Sequence, residues 1–77
     1  MSEDVRRLVG GNVRRLRTVA GLTQAELAAK MGVHRAYVSA LELGGRNPTI
    51  ITLWHLSQAL GVKIARLFVE RTRHRKP

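Results

Sequence analysis

At 77 residues the chain is expected to form one domain, near the lower end of what a hydrophobic core alone sustains; without cysteine it has no disulfide framework, thiolate zinc site or thiol nucleophile. No apolar run approaches the roughly 20 residues of a membrane span, and Glu3 and Asp4 ahead of Arg6 and Arg7 do not make a signal peptide, so a soluble cytoplasmic protein is expected. The formal net charge is +9, the footprint of a polyanion binder, because each neutralised phosphate releases condensed counterions.

The first predicted helix runs from about Glu3 to Val19, with Val5, Leu8, Val9, Val13 and Leu16 at helical spacing. Gly10 and Gly11 fall inside it and are expected to weaken it by up to about 1 kcal/mol each, and Gly21 reads as its stop. The second element carries the best local signal. Thr23 followed by Glu26 spells a capping box, Leu22 and Leu27 have the spacing of a hydrophobic staple, and Gly32 is placed to end the helix in the left-handed conformation. A third helix follows over about His34 to Leu43, with Val38 and Leu41 facing the core. After a turn from Gly44 to Pro48, Thr49 can cap a fourth helix that runs to Leu60 and stops at Gly61. A short fifth helix, about Lys63 to Val69, completes an all-α, five-helix domain over residues 1–70. The remaining tail, 71–77, holds four basic residues and no acid; without it ten basic residues still face five acidic ones. A merely solvated basic surface, or a basic face for anionic membrane, stays open on charge alone.

Two short helices joined by a glycine turn form a helix-turn-helix unit, here about 23–43. Its register needs an apolar and a small residue in the first helix, glycine at the turn and apolar residues in the second. Leu27, Ala28, Gly32, Val33, Val38 and Leu41 supply all six. The run GLTQAELAAKMGVHRAYVSALELGGRNPTIITLWHLSQALGV, with LRTVA before it and IARLF after it, resembles the lambda-repressor-like XRE family of bacterial and phage regulators. Arg35, Tyr37, Val38 and Ser39, then Glu42 and the stretch Arg46 to Ile50, also resemble restriction–modification controller proteins.

The resemblance implies a transcriptional regulator that binds double-stranded DNA as a homodimer on a palindromic operator, with the third helix in the major groove. Half-sites for such dimers lie about 34 Å apart. His34, Arg35, Ala36, Ser39 and Ala40 then point away from the core as base-contacting candidates. Arg35 is the foremost, since a guanidinium can bond guanine O6 and N7 together; the alternative is a phosphate contact. Ala36 and Ala40 can touch a thymine methyl or simply allow close approach. Phosphate candidates are Thr23 and Gln24 at the start of the second helix, Tyr37, Arg46 and Asn47, and more weakly Arg14. Tyr37 has the alternative of packing on its own helix. The family pairs an arginine late in the first helix with a glutamate late in the third, and Arg17 and Glu42 match those positions.

Two residues depart from the family pattern. His34 stands where serine or threonine is common, and histidine caps poorly; Leu43 stands where a polar residue is usual. On the fourth helix, Ile51 and Trp54 fall off the Leu53, Leu56 and Leu60 core stripe. With His55, Val62, Leu67 and Phe68 they are the candidate dimer interface, anchored on Trp54. The alternative has Trp54 folded into its own core. A protein-interaction module or antitoxin-type partner built on the same fold is the second functional class. An enzyme is not expected, because His34, His55 and His74 lack metal-ligand spacing and the acids form no carboxylate pair. No cofactor, metal or small-molecule ligand is expected.

Overall fold

Four α-helices and a 3₁₀ turn form over residues 4–70, the part of the chain that the computed structural model describes: α1 (Val5–Val19), α2 (Gln24–Met31), α3 (Arg35–Glu42), α4 (Ile50–Leu60) and the turn (Ile64–Phe68), with no strand among the described residues. The basic tail, 71–77, lies outside the described residues, as does the expected helix start at Glu3. Three helices open on a side-chain cap. Asp4 accepts from the Arg6 amide at 2.9 Å, Thr49 accepts from the Thr52 amide at 3.1 Å, and Thr23 and Glu26 complete their reciprocal capping box. Helix α3 starts at His34 with no side-chain cap bond, as expected of histidine there.

Gly32 ends α2 at φ 72°, ψ 31°, where a side chain would be strained. Its amide donates to Ala29 and that of Val33 to Ala28, the crossed pair of a Schellman motif. The chain thus leaves α2 and re-enters α3 within three residues, and the two helices pack directly on each other. The core is assembled from Val9, Val13 and Leu16 of α1, Leu27 and Ala28 of α2, Val38 and Leu41 of α3, Leu53, Leu56 and Leu60 of α4, and Leu67.

Gly10 corrects one expectation. Helix α1 runs unbroken through it, and the residue is buried against the C-terminal end of α3. A Cβ built there would lie 2.8 Å from the Glu42 carbonyl oxygen and closer still to that of Leu41. Glycine is required for the α1–α3 approach, whereas Gly11 faces open space.

The fifth element is a 3₁₀ turn rather than an α-helix. It opens with an i→i+3 bond from the Arg66 amide to the Lys63 carbonyl. Beyond it, buried Asn12 takes two carbonyls with one amide group: Nδ2 donates to Leu67 at 2.8 Å and to Val69 at 2.9 Å. The Leu67 side chain is wholly buried. Leu67 is therefore a core residue and drops out of the candidate dimer interface. The short element has too few residues to show periodicity, so the sequence does not reveal its inward side. Among the described residues no helix is long and apolar enough to cross a membrane.

Candidate nucleic-acid interface

The α2–α3 corner is held by a chain of four polar side chains. Arg17 of α1 forks onto Glu42, with Nε donating to Oε2 at 2.6 Å and Nη2 to Oε1 at 3.1 Å; its Nη1 donates to the Leu22 carbonyl at 2.8 Å. The Glu42 carboxylate, hydrogen-bonded to it and only 8% exposed, pushes the Arg17 guanidinium above its ordinary pKa. Glu42 Oε1 also accepts from Gln24 Nε2 at 3.0 Å, and Gln24 Oε1 accepts from Arg35 Nη1 at 3.0 Å. The exposed Arg35 at the first turn of α3 is thus tied to the first residue of α2. Beside it, the Arg46 guanidinium lies 4.7 Å from the centre of the half-buried Tyr37 ring. That stacking ties the loop after α3 to the face of α3 itself.

These contacts join Arg35 to Gln24 and, separately, Arg46 to Tyr37. His34, Ala36 and Asn47 are exposed next to them. Thr23 adjoins through the capping box, which uses its hydroxyl oxygen as an acceptor at 3.0 Å from the Glu26 amide and leaves its proton free to be donated. Ser39 and Ala40 are only half-exposed, and the Gly45 amide donates to the Ala40 carbonyl at 2.8 Å, folding the loop over that residue. Arg14 is exposed on α1, and no side-chain hydrogen bond ties it to this group among the described residues.

The resulting corner presents the N-terminal turn of α3, which no side chain caps, with Arg35 on it, a second arginine on an adjoining loop, and the first turn of α2. Arginine forks and free helix amides are donor arrays suited to phosphate and to guanine edges. The Helix-turn-helix family (HTH_3) matches residues 13–67, which include the whole of this corner. The chain belongs to that family.

As a helix-turn-helix regulator it is 58% identical over 59 residues to an uncharacterized HTH-type transcriptional regulator of Sinorhizobium fredii, covering 77% of each chain. It is 36% identical over 64 residues to the control protein C.BamHI of Bacillus amyloliquefaciens, covering 82% of this chain and 79% of that one. Among solved structures it superposes on the restriction–modification controller protein C.AhdI of Aeromonas hydrophila with a TM-score of 0.78 at 36% identity, over 82% of this chain and 96% of the other. The resemblance to XRE-family regulators holds, and the chain is a transcriptional regulator with a DNA-binding fold, not an enzyme.

The helix-turn-helix regulator carries a second feature, on α4. Ile51 is 64% exposed and Trp54 51%, one turn apart; His55 is exposed beside them, and Phe68 is 41% exposed on the 3₁₀ turn. Trp54 is thus not folded into its own core. It borders a groove of about 440 Å³ lined also by Gln58, Val62, Lys63 and Ile64. Val62 is half-buried and packs partly on the core.

Two polar residues with structural work were missed from sequence. Asn12 lies on the apolar stripe between Val9 and Leu16, and a lone amide on such a stripe is a readable signal of a buried hydrogen bond. The Gln24 links were not readable, since its partners lie 11 and 18 residues away.

Proposed function

We propose that this regulator reads a palindromic duplex as a homodimer, with α3 in the major groove and Arg35 making the principal base contact. The observation that carries the proposal is the placement of Arg35: an exposed guanidinium on the first turn of α3, already oriented by Gln24, with one edge still free for a two-pronged bond to guanine. His34, Ala36, Ser39 and Ala40 line the same helix as lesser base contacts, Ser39 and Ala40 being the more covered. Gln24, Thr23, Tyr37, Arg46 and Asn47 hold the flanking phosphates, through side chains and through the amides at the start of α2, and Arg14 adds charge at the margin.

The dimer forms through α4 and the 3₁₀ turn, with Ile51, Trp54, His55, Val62 and Phe68 as its apolar face and Trp54 as anchor. Residues 1–70 act as the reading domain and 71–77 as a basic extension that strengthens phosphate attraction. Such a protein works where duplex DNA is, in the cytoplasm of a prokaryotic cell. Relatives named as control proteins and as a phage immunity repressor support regulation of transcription by operator occupancy.

Selection from random duplexes, read by sequencing, tests this directly. The expected product is an inverted repeat whose half-sites lie about one helical turn apart, bound with an affinity that falls steeply with salt. Recovery of unrelated sequences, or binding indifferent to salt, would overturn the proposal.

A further inference from the structure

We infer that Arg7 is a further phosphate contact, a cation that belongs to α1 but is held in place by the loop after α3. The inference rests on the DNA-reading function proposed above and adds to it a residue outside the helix-turn-helix. Helix α1 passes the C-terminal end of α3. Its residues 7, 10, 14 and 17 recur at the three- and four-residue spacing that stacks side chains on one face of a helix. Two of the four are fixed against α3: Arg17 forks onto Glu42, and Gly10 meets the Leu41 and Glu42 carbonyls. One turn nearer the start of α1, the same face brings Arg7 beyond the end of α3 to the loop that carries Arg46.

At Gly44, the first residue after the C-cap of α3, a built Cβ would lie 2.6 Å from Arg7 Cγ and 3.1 Å from its Cα. The stem of Arg7 thus lies directly on glycine backbone. That seat is itself fixed, since the Gly44 amide donates to Leu41 at 3.0 Å and the Gly45 amide to Ala40 at 2.8 Å. A long cationic side chain placed this way packs its methylenes and keeps its head in water, and Arg7 is exposed. Its neighbour Arg6 is engaged elsewhere: Nε and Nη2 donate to the Asp4 carboxylate at 3.2 and 2.8 Å. Leu43, just before the seat, is 76% exposed and has no side-chain donor, so Arg7 brings donors to a stretch that lacks them. A guanidinium whose stem is already ordered loses few rotamers when it closes on a phosphate, and its planar fork suits two phosphate oxygens. Such a contact carries no sequence information. Arg7 therefore contributes affinity and register, and discrimination stays with Arg35.

The test compares Arg7→Gln, which keeps the methylenes seated on Gly44 and removes the charge, with Arg7→Lys and with Arg6→Gln. Binding to the selected operator, to single-base variants of it and to random duplex is measured across a salt series, and thermal unfolding is followed in parallel. Arg7→Gln is expected to weaken binding to all these duplexes by a similar factor. It should lower the slope of log affinity against log salt by about 0.9 for each protomer bound. For curves that meet near about 1 M salt, that is about eightfold weaker binding per protomer at about 0.1 M. Arg7→Lys should keep most of the slope, and Arg6→Gln should change it far less than Arg7→Gln does. An unchanged slope in Arg7→Gln would overturn the inference, and a lowered Tm beside it would make Arg7 a brace at the end of α3. An equal change in Arg6→Gln would reduce the effect to net charge, and a loss confined to particular bases would contradict a phosphate contact; either result overturns the inference. If the unmutated protein binds no duplex, or binds without salt dependence, it is the DNA-reading function that fails, a result visible before any variant is made.

Discussion

Substituting two adjacent glycines of α1 by alanine should move stability in opposite directions. At Gly10 the added Cβ meets the backbone of α3, 2.8 Å from the Glu42 oxygen and nearer to that of Leu41, and a backbone carbonyl cannot rotate aside as a side chain would. Relief requires α1 and α3 to separate. A radial gap of about 0.5–1 Å forfeits roughly a quarter to a half of each dispersion contact across it, here contacts among Val9, Val13, Val38 and Leu41. Overpacking of this kind costs about 1–3 kcal/mol, and the strain against backbone puts Gly10→Ala at the upper end. Alanine's better helix propensity returns up to about 1 kcal/mol. The net loss is about 1–2 kcal/mol, and for a domain of this size each kcal/mol lowers Tm by about 4–8 °C. At Gly11 nothing lies within 4 Å of the new Cβ, so only propensity acts, and Gly11→Ala should raise stability by about 0.5–1 kcal/mol. Thermal unfolding followed by circular dichroism, at one fixed protein concentration, reads both. A Gly10→Ala protein as stable as the parent would refute the claim that glycine sets the α1–α3 distance.

Asn12→Leu should lower stability by about 1–3 kcal/mol, because the Leu67 and Val69 carbonyls lose their donor; hydrogen exchange should show the 3₁₀ turn opening well before α1 and α3. Asp4 caps α1, and its hydrogen bonds to Arg6 hold its carboxyl at about 2, below the ordinary 3.8. Because that value is depressed in the folded state, the cap is fully present above pH of about 4 and fades as pH falls toward 2. Amide chemical shifts of the first turn should follow that window, and Asp4→Ala should abolish the dependence. Trp54→Glu should shift sedimentation toward the monomer and weaken operator binding at low protein concentration; an unchanged dimer would remove α4 from the interface.

The helix-turn-helix was legible because its signals are local. Thr23 and Glu26 lie three residues apart, and Gly32 needs a conformation that few other residues adopt. The Arg17–Glu42 pair was legible only through family resemblance, since nothing in the spacing of two residues 25 apart brings them together. Gly10 looked like a defect in α1 because its requirement comes from α3, across the core. The inward side of Leu67 is not legible because five residues of 3₁₀ turn carry no readable stripe, and the residue that holds its carbonyl, Asn12, is far away in sequence. Of the candidate site, the residue types were evident, but the order in which Glu42, Gln24 and Arg35 hold one another was not.

The central claim is that Arg35 reads a guanine edge in the major groove, and methylation interference measures this most directly. Methyl groups placed on guanine N7 occupy the acceptor that the guanidinium would use. The account predicts that one symmetry-related pair of N7 methyl groups in the operator blocks the unmutated protein and is tolerated by Arg35→Ala, which binds methylated and unmethylated duplex alike at that position. An interference pattern identical for both proteins would contradict it.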